Sequence, residues 1–157
     1  MKVYLAGAIE YAPDLGKKWR DEMSIFLDRE LNHSFYNPLL EENKYLTKEE
    51  IETFRELKVT DTNKYRIILR KLIDGDLRTL IDSIDYIICF WDNYTERGGG
   101  TYGELTVAYE HNIPVYMVTE KLKPEISGWI LGCTTEIFHS FDKLKRFLKE
   151  KYHLNPR

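Results

Sequence analysis

Ile84-Asp85-Tyr86-Ile87-Ile88-Cys89-Phe90-Trp91 is almost unbroken in apolar residues and stops at Asp92. A strand with one wet face alternates apolar and polar residues, whereas a strand covered on both faces has no such need. This run therefore reads as the central strand of a parallel sheet with helices on either side. Working outward, Val3-Tyr4-Leu5-Ala6 ended by Gly7 is a shorter run of the same kind, and Ser34-Phe35-Tyr36 stopped by Asn37-Pro38 is another. Ile113-Pro114-Val115-Tyr116-Met117-Val118 and Glu136-Ile137-Phe138-His139 complete a set of five. Helical spacing fills the gaps. A helix opens at Pro13-Asp14 and runs to about Leu31, with Leu15, Trp19, Met23, Phe26 and Leu27 on one side. Thr47-Lys48-Glu49-Glu50 spells a capping box ahead of Ile51, Phe54 and Leu57. Longer helical patterns cover 63–83 and 101–112, and Ser140 caps an amphipathic helix over 141–152.

Strands alternating with helices require right-handed crossovers and hence a parallel sheet. The pattern predicts a single doubly wound α/β domain over 1–157, with a five-stranded sheet in the flavodoxin-like order 2-1-3-4-5. Ligands of such folds bind beyond the carboxyl ends of the strands. The segment 41–62 reads as a helical insertion, a candidate lid. The 157 residues are 43% hydrophobic and 31% charged, a globular balance, with a net charge of -3. Basic residues are scattered, which speaks against a nucleic-acid polymer as partner. There is no apolar run near membrane-spanning length, and Met1-Lys2-Val3-Tyr4-Leu5 leads straight into a strand. Neither a signal peptide nor a membrane partner is expected. Cys89 and Cys133 lie in apolar runs and read as buried, reduced thiols, which suits the cytoplasm.

Three carboxylates carry chemistry. On a continuous helix over 63–83, Leu69, Leu72, Ile73, Leu77 and Leu80 form one stripe and Asp76 falls within it. Desolvation would raise its pKa and suit it to proton transfer. The alternative is that Gly75 breaks the helix and Asp76 caps a new one. Asp92 ends the central strand, where ligand contacts fall, although an Asp there also suits a plain turn. Glu104 follows Gly98-Gly99-Gly100-Thr101, in the first turn of a helix whose positive end favours an ionised carboxylate. Beside an anomeric carbon such a group is a nucleophile. Thr101-Tyr102-Gly103-Glu104 fits a capping box equally well, and the glycine run could be a flexible turn. His33, His111, His139 and His153 have no ligand spacing, so no metal site is expected. No Walker lysine, nucleophile elbow or complete dinucleotide fingerprint is present, and no cofactor is expected.

Together these positions resemble the nucleoside 2-deoxyribosyltransferase family. Tyr4-Leu5-Ala6-Gly7 looks like its opening strand, and Asp76-Leu77 with Ile81, Ser83 and Asp85 looks like the segment before its central strand. Gly100-Thr101-Tyr102-Gly103-Glu104-Leu105, continuing to Ala108 and Ile113-Pro114-Val115, looks like its Gly-Thr-x-x-Glu-Leu…Ala…Pro-Val block. The resemblance implies Glu104 as nucleophile on C1′, Asp76 assisting at the base, and Asp92 holding or protonating it. It places Tyr4 beside the sugar or nucleophile, and Gly7, Gly98, Gly99, Gly100 and Thr101 around the substrate. The sequence departs from the pattern in a longer interval between Asp92 and Glu104, in Thr106 where Gly is frequent, and in the 41–62 segment. Asn155 is the candidate for the C-terminal Asn that a neighbouring subunit contributes in the transferases.

The expected activity is thus cleavage or transfer at the N-glycosidic bond of (deoxy)nucleosides by double displacement. Cytokinin-activating phosphoribohydrolases carry a similar Gly-Gly-x-Gly-Thr-x-x-Glu motif, which keeps a nucleoside 5′-monophosphate hydrolase as an alternative. A nucleotide-binding or sensing module without turnover is the alternative from another class. The resemblance also implies a homo-oligomer. Trp129, Ile130 and Leu131, after Ser127-Gly128, supply an apolar segment too short to cover itself, although Trp129 could instead plug the core.

Overall fold

Successive side chains on a strand point to opposite faces of a sheet, so a chain with helices on both sides needs two separate apolar layers. The computed structural model describes residues 1–153 and has this arrangement. The chain runs β1 (Lys2–Gly7), α1 (Lys17–Leu31), β2 (Ser34–Tyr36), α2 (Pro38–Tyr45), α3 (Lys48–Thr60) and α4 (Thr62–Ser83). It continues with β3 (Tyr86–Phe90), α5 (Asn93–Arg97), α6 (Gly100–Glu110), β4 (Val115–Val118), a 3-10 turn, α7 (Gly128–Gly132), β5 (Glu136–Phe138) and α8 (Phe141–His153). The strands pair in the order β2-β1-β3-β4-β5, all parallel. One layer joins Tyr4, Ala6, Ile87, Cys89, Val115 and Met117 to Leu80, Leu105 and Ile130 of the helices on that side. The other joins Val3, Leu5, Tyr86, Ile88, Tyr116 and Val118 to Met23 and Leu27 of α1 and Leu144 and Leu148 of α8. Cys89 and Cys133 are buried free thiols, and no described helix is long and apolar enough to cross a membrane.

Several boundaries differ from expectation for local reasons. α1 begins at Lys17, not at Pro13, because the Asp14 carboxylate accepts from the amides of Gly16 and Lys18 and holds residues 13–16 in turns. Leu15 has φ 58° and is exposed, off the apolar side of the helix. Pro38 does not merely stop β2. It opens α2, with the Asn37 side chain accepting from the Leu39 amide at 3.1 Å, and Pro is favoured at such a position because the missing N–H is unused there. The capping box of Thr47 and Glu50 is present at α3. α4 continues through Gly75 for 22 residues, so Asp76 is an interior helical residue and not a cap. Its buried side is turned from the expected stripe: Ile68, Gly75 and Leu80 are buried, while Ile73 is exposed. The 41–62 segment is the end of α2 and the whole of α3. It packs through Phe54 and Leu46 against Ile68 of α4.

Candidate active site

Parallel register decides which side chains meet. Tyr4 of β1 is paired with Tyr36 of β2, so both rings rise from the same face of the sheet. They stack, with centroids 5.2 Å apart and planes at 19°. Each phenol then reaches a different helix. Tyr4 Oη donates to Glu104 Oε1 of α6 at 2.7 Å, and Tyr36 Oη donates to Asp76 Oδ1 of α4 at 2.7 Å. Among the described residues, neither Glu104 Oε2 nor Asp76 Oδ2 has a hydrogen-bond partner. The result is a pair of carboxyls, each clamped at one oxygen and open at the other.

Burial is the dominant cause acting on both groups. It pushes Glu104 up to about 7, with the Asp76 charge adding to the rise and the Tyr4 hydrogen bond and Arg20 cation opposing it. Burial pushes Asp76 up to about 6, with Tyr36 opposing and the charges of Glu42 and Glu41 adding. Desolvation penalises the charged form of any acid, and a like charge nearby penalises it further. The dipole argument leads one to expect Glu104 as the more acidic of the two. Glu104 instead lies well above the ordinary carboxylate range, because it sits in the second turn of α6, past the strongest part of the dipole, under a buried tyrosine. The Tyr4 phenol is raised well above its ordinary value, so it remains a proton donor.

The capping-box reading of Thr101 and Glu104 does not hold: Gly99 occupies the cap position of α6, and Thr101 is a buried residue within the helix. Gly98 closes α5, and Gly99 and Gly100 begin α6 with nothing within 4 Å of where a Cβ would stand. The protein's own packing therefore does not require glycine at 99 or 100. Gly7 is different: a Cβ there would lie 3.0 Å from the Trp19 ring and 3.1 Å from the Phe90 carbonyl oxygen. Asp92 stands at the carboxyl end of β3 but spends Oδ1 on the Thr95 amide at 2.8 Å, capping α5. Thr95 in turn bonds the Phe90 carbonyl and the Ala8 amide, so this corner ties β3 to the loop after β1. The charges that act on Glu104 are those of Asp76 and Arg20. Asn155 lies outside the described residues.

Arg20 is the site residue that sequence reasoning passed over. It is fully buried, and its guanidinium donates to the carbonyls of Leu5, Gly7, Ala8, Leu15 and Gly16 at 2.8–3.2 Å. These bonds fold the β1–α1 loop around a cation that faces Glu104. The available signal was a charge one residue after Trp19 and three before Met23, inside the apolar stripe of α1. Tyr36 and Tyr45 were passed over as well, since a tyrosine at a strand or helix end carries no motif.

Fold and site together define a flavodoxin-like α/β domain with two helix-borne carboxyls set on tyrosines that rise from one face of the sheet. No protein-family model and no curated protein matches the sequence. Solved structures do match the fold. The 2-deoxyribosyltransferase of Bacillus psychrosaccharolyticus superimposes with a TM-score of 0.62 at 20% identity, over 92% of this chain and 90% of that one. The Clostridium botulinum CMP N-glycosidase superimposes at 0.56 with 15% identity, over 96% and 99%. The 2-desoxiribosyltransferase of Leishmania mexicana superimposes at 0.56 with 18% identity, over 95% and 97%. The likeness in fold spans 92% or more of this chain in each case.

Proposed function

We propose that this chain is a pentosyltransferase or hydrolase of the N-glycosidic bond, acting on (deoxy)nucleosides or their 5′-monophosphates, with Glu104 as nucleophile. The observation that carries the reading is the pair of carboxyls, each bonded to a tyrosine at 2.7 Å and each with one free oxygen. Glycosidic cleavage passes through an oxocarbenium-like state and needs one negative charge near C1′ and one proton for the leaving group. Glu104 Oε2 would form the bond to C1′ as the C1′–N bond breaks. The electron pair passes to the base nitrogen, and the proton of Asp76 Oδ2 goes to the base. A second base attacking C1′ would release Glu104 and return a proton to Asp76, giving transfer; water attacking instead gives hydrolysis. The likeness in fold to a transferase and to a CMP N-glycosidase supports both fates as candidates. The chemistry calls for no cofactor. Tyr4 orients the nucleophile, Gly98, Gly99, Gly100 and Thr101 would border the sugar side, and Asp92 would border the base. Assembly of copies of this chain is part of the same reading.

Incubation with each deoxynucleoside and monophosphate, with and without a second free base, tests it by chromatography. New nucleoside only with added base means transfer, and free base without acceptor means hydrolysis. A melting-temperature rise with nucleotide but no product from any substrate would replace the enzyme reading with a binding module. A slow 2-fluoro substrate should leave a glycosyl adduct on Glu104, read by mass spectrometry; an adduct elsewhere removes Glu104 from the role.

A further inference from the structure

A phenol has one proton, and the direction of a chain of phenols follows from where that proton is spent. Tyr36 lies 2.7 Å from Asp76 Oδ1 and 3.3 Å from Tyr45 Oη. The carboxylate is the stronger acceptor at the shorter distance, so the Tyr36 proton goes to Asp76. Tyr45 Oη, which faces the Tyr36 phenol as an acceptor, is the weaker and more distant competitor for that proton, and its own oxygen lies 3.4 Å from Thr79 Oγ1. Tyr45 reaches this place because residue 75 is glycine: a Cβ on Gly75 would stand 2.4 Å from the Tyr45 ring. The segment expected as a lid thus contributes, through the last residue of α2, to the floor beneath Asp76.

We infer that Tyr36 is the positioning residue for Asp76: with Oδ1 committed as an acceptor, Oδ2 is the only oxygen on which Asp76 can carry or give up a proton. This rests on the reading of Asp76 as the base-side acid, and it places the proton on a particular atom. Tyr4 acts alike on Glu104, so the stacked pair Tyr4 and Tyr36 sets which oxygen of each carboxyl is chemically available. The titratable groups around Asp76 are Tyr36 from β2, Tyr45, Glu41 and Glu42 from α2, and Glu104 with Tyr4 across the ring stack. Of these, Tyr36 alone opposes the rise in the Asp76 pKa, through its hydrogen bond.

Tyr36→Phe keeps the ring stacked on Tyr4 and deletes only the O–H. A carboxyl 13C NMR titration of the intact protein reads Asp76 without any substrate. Loss of a hydrogen bond to the ionised form should raise its pKa by about one unit. Tyr45→Phe removes the competing acceptor and should give a smaller shift of opposite sign, toward lower pKa. In Tyr36→Phe the alkaline limb of kcat/KM, where Asp76 must be protonated, should move upward with the NMR value while KM changes little. A residue that merely braced the fold would lower the melting temperature and leave the Asp76 titration in place, and that result overturns the inference. Should Tyr36→Phe fail to fold, an Asp76 pKa that does not fall in Tyr45→Phe overturns it equally. A shifted titration in a protein that releases no base from any nucleoside would uphold the positioning and defeat the proposed reaction.

Discussion

At the residue scale the controlling fact is that two acids share one buried neighbourhood and the Asp76 charge raises the cost of ionising Glu104. Burial pushes Asp76 up to about 6 and Glu104 up to about 7, so kcat/KM should be bell-shaped with its maximum between those values. Asp76→Asn removes a like charge from Glu104, so the acidic limb should move to lower pH and the alkaline limb should vanish. Tyr4→Phe removes the hydrogen bond that lowers Glu104, so the acidic limb should move to higher pH. Opposite shifts from the two variants, measured on one substrate, test the coupling; shifts of the same sign would refute it. Glu104→Gln should abolish turnover, by about a thousandfold or more, because a covalent nucleophile is lost while binding surface is kept. It should also raise stability in a pH-dependent way. The folded state holds the Glu104 proton more tightly, about 7 against the ordinary 4.5, so the stability this lends is complete below pH 4.5 and lost as pH rises through 7. At pH 8 the wild type carries the buried charge and the Gln variant does not. The variant should therefore melt a few degrees higher at pH 8, given about 2–4 °C per kcal/mol in a domain of this size. The difference should close near pH 5, as calorimetry at the two pH values would show.

At the element scale, α4 and the β1–α1 loop each turn on one residue whose usual meaning is misleading. Glycine inside a helix normally costs about 0.5–1 kcal/mol against alanine. At Gly75 the sign should invert, since alanine would drive its Cβ to 2.4 Å from the Tyr45 ring. Gly75→Ala should lower the melting temperature, and Gly75→Ala with Tyr45→Ala should recover part of the loss, a coupling read from the double-mutant cycle. Arg20→Met would remove the guanidinium bonds to five backbone carbonyls of β1 and the loop after it, and should cost about 3 kcal/mol or more in urea unfolding. Most element types were legible from periodicity, but α2, α5 and the five-residue α7 were not. α2 hides behind Pro38, which reads as a stop until Asn37 is seen capping it. α5 is a five-residue turn organised by Asp92 and Thr95, too short to show a period.

At the scale of the whole molecule, Trp129 bears on assembly. It is 66% exposed on α7, its indole N–H donating to Thr106 of α6, while Ile130 beside it is buried. It does not plug the core. Tryptophan is enriched at protein interfaces, and a second copy covering this face accords with the proposed assembly. Light scattering should find a dimer or larger species, and Trp129→Ala should shift it toward monomer without lowering the melting temperature at high dilution. A monomeric wild type at working concentration would remove the idea.

Apolar run lengths and helical spacing were enough to read the five parallel strands and their 2-1-3-4-5 order, because burial on both faces writes itself into consecutive residues. They also placed Asp76 within an apolar stretch and Glu104 after a glycine run. The Asp76 partner was out of reach, and Tyr4 was set beside the sugar or nucleophile by resemblance alone, not by any local pattern. Tyr4 meets Glu104 across 100 positions and Tyr36 meets Asp76 across 40, brought together by strand register. Likewise the rise of both pKa values follows from how deeply each acid is buried and which charges surround it. Such quantities belong to packing between elements distant in the chain, and no local pattern of residue types encodes them.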